Sequence, residues 1–526
     1  SSPVFKNGVL YSGGNEGMLH AIDAETGEEL FAYVPNLVFE GLPVLTDPAY
    51  SHKYYVDLTP TVEAVDLGSL TRLLVGGLGH GGRGYYALDV SNVSPADSMV
   101  PANENQVAAM VMWEYPNLTT PVGEIADLGY SFSRVTIAKT NDAGTPWVVI
   151  FGNGYNSPNG HAVLFIIDPV TGQLIKRIDP QLGQPPSCNG LSTPIATDVD
   201  YDGKVDYVYA GDLNGHMWKF DLTDSNHANW DVAFYDGAIP KPLFTTAYQP
   251  ITTKPNVMYH CDRDGYMVVF GTGRYLGDYD LSDTSPQALY GVWDYGDDAD
   301  DTEYVGTLFG SFLSDTYLSS PPVFFLPQAV DPTPITAYGS EFRTISDNQA
   351  DWRVTTEAAG SCGENDGFAL CDLNGIGEHA DPLRNVGWVL NLDGIGERVV
   401  SDVLVRDGLV IATSYVPEGS ICGTGGSSWV WSLNACSGAR LSEAHVDANG
   451  DGAVDDNDLV NIGTVDDPIW VPPTCKKFDG RLQPPAIIML NSQVEVLYMS
   501  SSRGRIETLR EKSAKLGLTF WRVFRP

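Results

Sequence analysis

The stretch VYAGDLNGHMWKFD, residues 208–221, reads as an apolar strand, a Gly-containing turn and a second apolar strand that ends in Asp. The same order of residue types occurs before it as LYSGGNEGMLHAID (10–23), LLVGGLGHGGRGYYALD (73–89) and VVIFGNGYNSPNGHAVLFIID (148–168). It returns after it as VVFGTGRYLG with ALYGVWD (268–294), IATSYVPEGSICGTGGSSWVWSLN (411–434) and VLYMSSSRGRIETL (496–509). A hairpin with two apolar faces cannot cover both alone, whereas stacked copies cover one another. The repeat therefore predicts an all-β fold: a seven-bladed, irregular β-propeller with long inter-strand insertions, forming a single domain over 1–526.

Seven copies in 526 residues average about 75 each, beyond the ~40 to 50 of compact propeller repeats, so insertions must separate the strands. Segments of different texture mark them, at about 296–385, rich in Asp, Thr and Pro, and at 437–480, acidic and polar. Around the sixth copy, GWVLNL, RVVSDVLVR, GLVIATSY and SWVWSL read as a four-strand meander. The glycines are structural: GGLGHGGRG (76–84) runs into the strand-like YYALD, whereas a phosphate loop would open a helix. His20, His80, His161 and His216 lie at or near these turns and are read as capping blade edges. The single convincing helix signal is ETLREKSAKLG, 507–517.

Composition agrees with short strands and tight turns, with 55 Gly, 34 Pro and 26 Tyr. The 67 acidic side chains against 30 basic ones leave a net charge of −37, which excludes an electrostatic nucleic-acid binder and disfavours anionic membranes as partners. Such a surface attracts cations. No segment reaches the ~18 apolar residues of a spanning helix, so membrane insertion is not expected. The chain opens abruptly in a strand and is read as the C-terminal part of a longer protein.

Seven cysteines stand at 188, 261, 362, 371, 422, 436 and 475. The short separations of Cys422 from Cys436, and of Cys362 from Cys371, in loop-rich surroundings suggest disulfides and an oxidising compartment.

Two acidic loops carry the chemistry. In DVDYDGKVD, Asp198, Asp200 and Asp202 occupy positions one, three and five, Gly203 position six and Asp206 position nine, with the Lys204 carbonyl at seven. Alternate hard oxygen donors around a glycine bend converge on one point, which suits Ca²⁺. Strands flank the loop, and position twelve is Tyr209, so Asp206 must supply the bidentate carboxylate. The second loop, DANGDGAVDDND, places Asp447, Asn449, Asp451, the Ala453 carbonyl, Asp455 and Asp458 at one, three, five, seven, nine and twelve of the EF-hand formula, with Asp for Glu at twelve. Only a short helix, DLVNIG, could follow it. DRDG (262–265) reads as a hairpin turn. No catalytic constellation stands out: there is neither a G-x-S-x-G elbow nor an H-E-x-x-H helix.

GGNEGMLHAIDAETGEELFAYVP (13–35) resembles the repeat of quinoprotein dehydrogenase propellers. The succession DVDYDGKVDYVYAGDLNGHMWKFDL (198–222), VVFGTGRYLG, the 387–438 segment and SSSRGRIETLRE (500–511) resembles the C-terminal propeller of the PilY-type type IV pilus tip proteins. That resemblance implies an extracellular pilus-tip or cell-surface protein that primes pilus assembly with minor pilins and supports adhesion and twitching motility. It also implies that one calcium loop opposes pilus retraction, by position Asp198, Asp200, Asp202 and Asp206; contact with host or abiotic surfaces would fall to an N-terminal region beyond this chain. No Arg-Gly-Asp triplet is present, so the integrin binding described for the family is not expected. The competing class is a quinone-dependent dehydrogenase, disfavoured because the chain lacks the adjacent Cys pair of that chemistry.

Overall fold

The computed structural model describes residues 1–95, 101, 103–185, 187–246, 248–261, 265–294, 312–313, 324–331, 333–347, 385–418 and 425–513. The described residues divide into two compact units, Ser1–Leu213 with Trp218–Lys241, and Asn214–Met217 with those from Pro242 to Ser513.

The first unit holds three four-stranded antiparallel meanders. They are Val4–Lys6, Val9–Gly13, Leu19–Asp23 and Glu29–Tyr33; Thr61–Leu67, Leu70–Gly77, Tyr85–Asp89 and Val111–Tyr115; and Thr136–Lys139, Trp147–Gly152, Leu164–Ile167 and Leu174–Ile178. Strands Ile195–Thr197, Tyr207–Gly211 and most of His216–Asp221 begin a fourth sheet. Each repeat copy is the central hairpin of its sheet: Gly152 pairs with Leu164, and Val149 with Ile167. Because successive side chains alternate faces, one strand feeds two cores. Val149, Phe151, Phe165 and Ile167 pack with Leu73, Val75, Tyr85 and Ala87 of the second sheet. Val148, Ile150, Leu164 and Ile166 face the other way, onto Val208, Ala210, Trp218 and Phe220. Phe151 and Phe165 stack with centroids 5.4 Å apart. Burial of each such side chain contributes roughly 1.5–3 kcal/mol, and sheets covered on both faces are what a propeller requires.

The second unit contains strands Asn256–Tyr259, Tyr266–Gly271, Gln287–Asp294 and Asn385–Leu392, joined by Phe324–Val330, which runs parallel to Asn385–Leu392. A further sheet is built on Leu409–Val416, Ser427–Asn434 and Cys475–Asp479. The remaining principal sheet, Ala486–Met489, Val494–Ser500 and Ile506–Lys512, has three strands.

The all-β propeller class is thus borne out, but the blade number is six, not seven: among the described residues six sheets have four or more strands. The seventh repeat copy folds as a hairpin with one additional strand. Its other edge is met by the insertion at 445–447, where Asp447 N–H donates to the Arg510 carbonyl and Lys512 N–H to the His445 carbonyl. That local cover replaces the fourth strand.

Other expectations change as well. GWVLNL leaves the meander and pairs with Gln287–Asp294 instead, while RVVSDVLVR pairs with Leu409–Val416. The segment ETLREKSAKLG is a strand through Lys512, because Val494–Ser500 holds it in register along its length; its last residues lie outside those described. The 437–480 insertion contributes Cys475–Asp479 to a blade, and within 296–385 the strand Phe324–Val330 does likewise. Cys436 bonds to Cys261, which overturns the Cys422 to Cys436 pairing; Cys362, Cys371 and Cys422 lie outside the described residues, as do Asp262 to Asp264. Among the described residues Cys188 and Cys475 are free thiols.

Candidate metal centre

The loop 198–206 closes a hairpin in which Thr197 pairs with Tyr207 and Ile195 with Tyr209. Its reversal uses positive φ at Tyr201 (66°) and Gly203 (87°), which a glycine adopts without steric cost. The backbone then folds onto its own carboxylates. Asp198 Oδ2 accepts from Gly203 N at 2.9 Å, Asp200 Oδ1 from Asp202 N at 3.0 Å, and Asp206 Oδ2 from Val199 N at 2.8 Å.

These bonds turn Asp198, Asp200 and Asp206 inward, so that one carboxylate oxygen of each lies within 4.8 Å of the other two. Asp198 and Asp206 are only 6% and 5% exposed. Asp206 Oδ1 accepts from Asn141 Nδ2 at 3.1 Å, yet Asp198 Oδ1 is buried with no hydrogen-bond partner among the described residues. An orphaned carboxylate oxygen costs at least ~1–3 kcal/mol, and a bound cation removes that penalty. Burial raises the Asp206 pKa above the ordinary carboxylate value; the Asp200 and Asp198 charges push the same way, against hydrogen bonds from Val199 and Asn141. Three carboxylates, two of them buried, form a hard-oxygen donor set that fits Ca²⁺.

Asp202 is not part of that convergence. Its Oδ1 accepts from Lys204 N at 2.9 Å and its Oδ2 from the Lys204 ammonium, which lowers the Asp202 pKa and raises that of Lys204. Lys204 Nζ also reaches Asn141 Oδ1 at 3.4 Å.

The second loop is arranged differently. Asp447, 5% exposed, accepts from Gly450 N at 2.6 Å and Gly452 N at 3.0 Å, and its Oδ2 lies 3.4 Å from Arg510 Nη1. Fully buried Asp458 uses both oxygens on the loop backbone, taking Ala448 N, Asn449 N and Asp455 N. Asn449 accepts from Asp451 N, Asp451 from Ala453 N, and Asp455 from Asn457 N. A single 3₁₀ turn, Asp456–Asp458, is followed by strand Val460–Asn461 in place of the helix expected there. Its acids do not form a group of three with mutually close oxygens. The loop thus folds with its acids on its own backbone donors and with Arg510 beside Asp447.

One further group escaped the sequence reading: Asp127, His161 and Asp179. His161 Nδ1 lies 2.9 Å from Asp179 Oδ2, while Asp127 is paired with Arg177 and accepts from Asn159 Nδ2 at 2.7 Å. Residues from three separate segments build it, so no local motif announced it, and its engaged oxygens make it a hydrogen-bonded strut. His20 bridges Glu16 and Glu29, and His80 bonds Asp57, as caps of their turns.

A family model described as the PilY1 beta-propeller domain matches residues 4–315. The type IV pilus biogenesis factor PilY1 of Pseudomonas aeruginosa is 32% identical over 490 residues, covering 87% of this chain and 38% of that protein. A PilY1 homolog from Xylella fastidiosa is 34% identical over 463 residues, covering 84% and 27%. The crystal structure of the Pseudomonas aeruginosa PilY1 C-terminal domain matches with a TM-score of 0.69 at 27% identity, over 96% of this chain and 92% of that one. The chain spans only about a third of the length of these curated relatives.

Proposed function

The chain belongs to the PilY1 family of type IV pilus biogenesis factors, and on that premise we propose that it is a non-enzymatic, calcium-responsive propeller that works in pilus assembly at the cell surface. Calcium is held by Asp198, Asp200 and Asp206, with the Lys204 carbonyl and Asp202 completing the shell once Asp202 gives up its lysine partner. The observation that carries this reading is the buried, unpartnered Oδ1 of Asp198 beside two further carboxylates. Without the ion the three charges repel and the loop opens. With it the loop is ordered, and the hairpin presents one surface rather than an ensemble. A ligand shifts such an equilibrium only through its differential affinity, which here is the full charge compensation of the site.

The consequence proposed for the cell is a shift between pilus extension and retraction, through contact with minor pilins and the tip complex, and with it a change in adhesion and twitching. The test replaces Asp206 by Ala in the chromosomal copy of the producing bacterium. Altered surface piliation or motility, at normal protein level and in parallel with weakened calcium binding in vitro, supports the reading; unchanged calcium binding and piliation rejects it.

A further inference from the structure

A second site lies in the other unit, at the three-stranded sheet. Glu495 and Glu511 are directly opposed across the antiparallel pair Val494–Ser500 and Ile506–Lys512, so both side chains emerge from one face. They are 2% and 0% exposed. Both line a cavity of about 540 Å³, whose apolar wall includes Leu409, Ile411 and Leu441. The 445–447 segment borders the same strand, which brings His445 Nε2 to 3.7 Å from Glu511 Oε2.

Like charges opposed on a sheet are unfavourable, and burial of both deepens the penalty. The compensation present is partial. Arg406 Nη1 donates to Glu495 Oε1 at 2.8 Å, whereas Glu495 Oε2, both oxygens of Glu511 and His445 Nε2 are buried with no hydrogen-bond partner among the described residues. The remaining basic groups of the wall are engaged elsewhere, Lys512 with Glu443 at 2.7 Å and Arg440 with the Ile345 carbonyl at 2.7 Å. Burial and the facing Glu495 push the Glu511 carboxyl up, so the pair holds one proton between them; the unmet need is one positive charge together with N–H donors for the remaining oxygens. A metal ion suits it less well, because these three side chains do not bring their ligand atoms within 4.8 Å of one another, as those of the calcium loop do.

We propose that this cavity binds a compact organic cation bearing N–H donors, a primary ammonium or a guanidinium, whose head sits between Glu495 and Glu511 and whose alkyl stem lies on the apolar wall. Only the cavity, the opposed pair and the orphaned acceptors carry this, independently of calcium at the other loop. An ammonium head offers three donors and a guanidinium five, enough to meet the open acceptors.

Calorimetric titration of the purified chain with n-butylammonium chloride tests the site, with tetramethylammonium chloride as a cation of the same charge but without N–H donors. Saturable binding of n-butylammonium alone, weakened at least about tenfold in both Glu511→Gln and Glu495→Gln, is the expected result. Competition by an N-acetylated Gly-Lys-Gly amide identifies a lysine side chain as the source of the head group; failure of that peptide beside n-butylammonium binding identifies a free amine. Equal or absent binding of the two cations, or affinity unchanged in Glu511→Gln, overturns the proposal. The comparison of the two cations is made on the unsubstituted chain, so it decides even if a variant does not fold.

Discussion

At the scale of single residues, the distinction between the two acidic loops is one of unmet valence. Both have the alternating spacing that a reader of the sequence associates with calcium, and spacing alone ranks them nearly equal. What separates them is invisible in a string of letters: the orphaned Oδ1 of Asp198, against the backbone donors that occupy Asp458 and the Arg510 guanidinium beside Asp447. Asp202 shows the same limit, since its position in the motif is right while its side chain is turned to Lys204. Substitution of Asp198 by Asn should therefore weaken calcium binding at least about tenfold, and Asp202 by Asn distinctly less, as read by calorimetry. Glu511 yields a prediction about protons. Its pKa is raised to about 9, first by burial and then by Glu495. A carboxyl whose folded pKa lies above its unfolded value of ~4.3 contributes its stability below that lower value, and loses it as pH rises through the upper one. The thermal midpoint of the chain should accordingly fall between about pH 5 and pH 9, and Glu511→Gln should flatten that decline.

At the scale of elements, what was legible is what depends on neighbours in sequence. The copy at 148–168 announces its hairpin through alternation and glycine punctuation, and Val149 and Phe151 duly feed one core while Val148 and Ile150 feed another. What was not legible depends on distant pairing. The charge pattern of ETLREKSAKLG suits a helix, but seven consecutive cross-strand partners hold the residues through Lys512 as a strand. GWVLNL could join either flanking sheet, and its pairing with Gln287–Asp294 decided the matter. The Cys261 to Cys436 bond closes 175 residues of chain, a separation at which local spacing gives no guidance. Cys436→Ser should lower stability by about 2–4 kcal/mol in denaturant unfolding, and non-reducing peptide mapping of the unsubstituted chain should recover the 261–436 pair. Gly203→Ala forces a side chain into the left-handed region at φ 87° and should cost about 1–2 kcal/mol, read in the same unfolding experiment, with a matching loss of calcium affinity because Gly203 N–H positions Asp198.

At the scale of the whole molecule, the repeat conveyed the architecture but not its count. A seventh copy of the turn signature is present, yet among the described residues only three strands assemble around it, and the 445–447 insertion bonds the edge where a fourth would pair. Copy number and blade number are separate quantities when insertions are long enough to supply their own edge contacts. Part of the net charge of −37 likewise has a place: three inward carboxylates in the 198–206 loop, an acidic turn with Arg510 beside Asp447, and an opposed glutamate pair beside Arg406. Membership of the PilY1 family gives these sites a setting, and under the proposed function the 198–206 loop is the element through which the propeller would respond to calcium. The most direct test is the calcium stoichiometry of the purified chain, measured by calorimetry beside an Asp198→Ala, Asp206→Ala double variant. One calcium per chain, abolished in the double variant, is the predicted result; a stoichiometry that the double variant leaves unchanged would contradict the assignment of calcium to this loop.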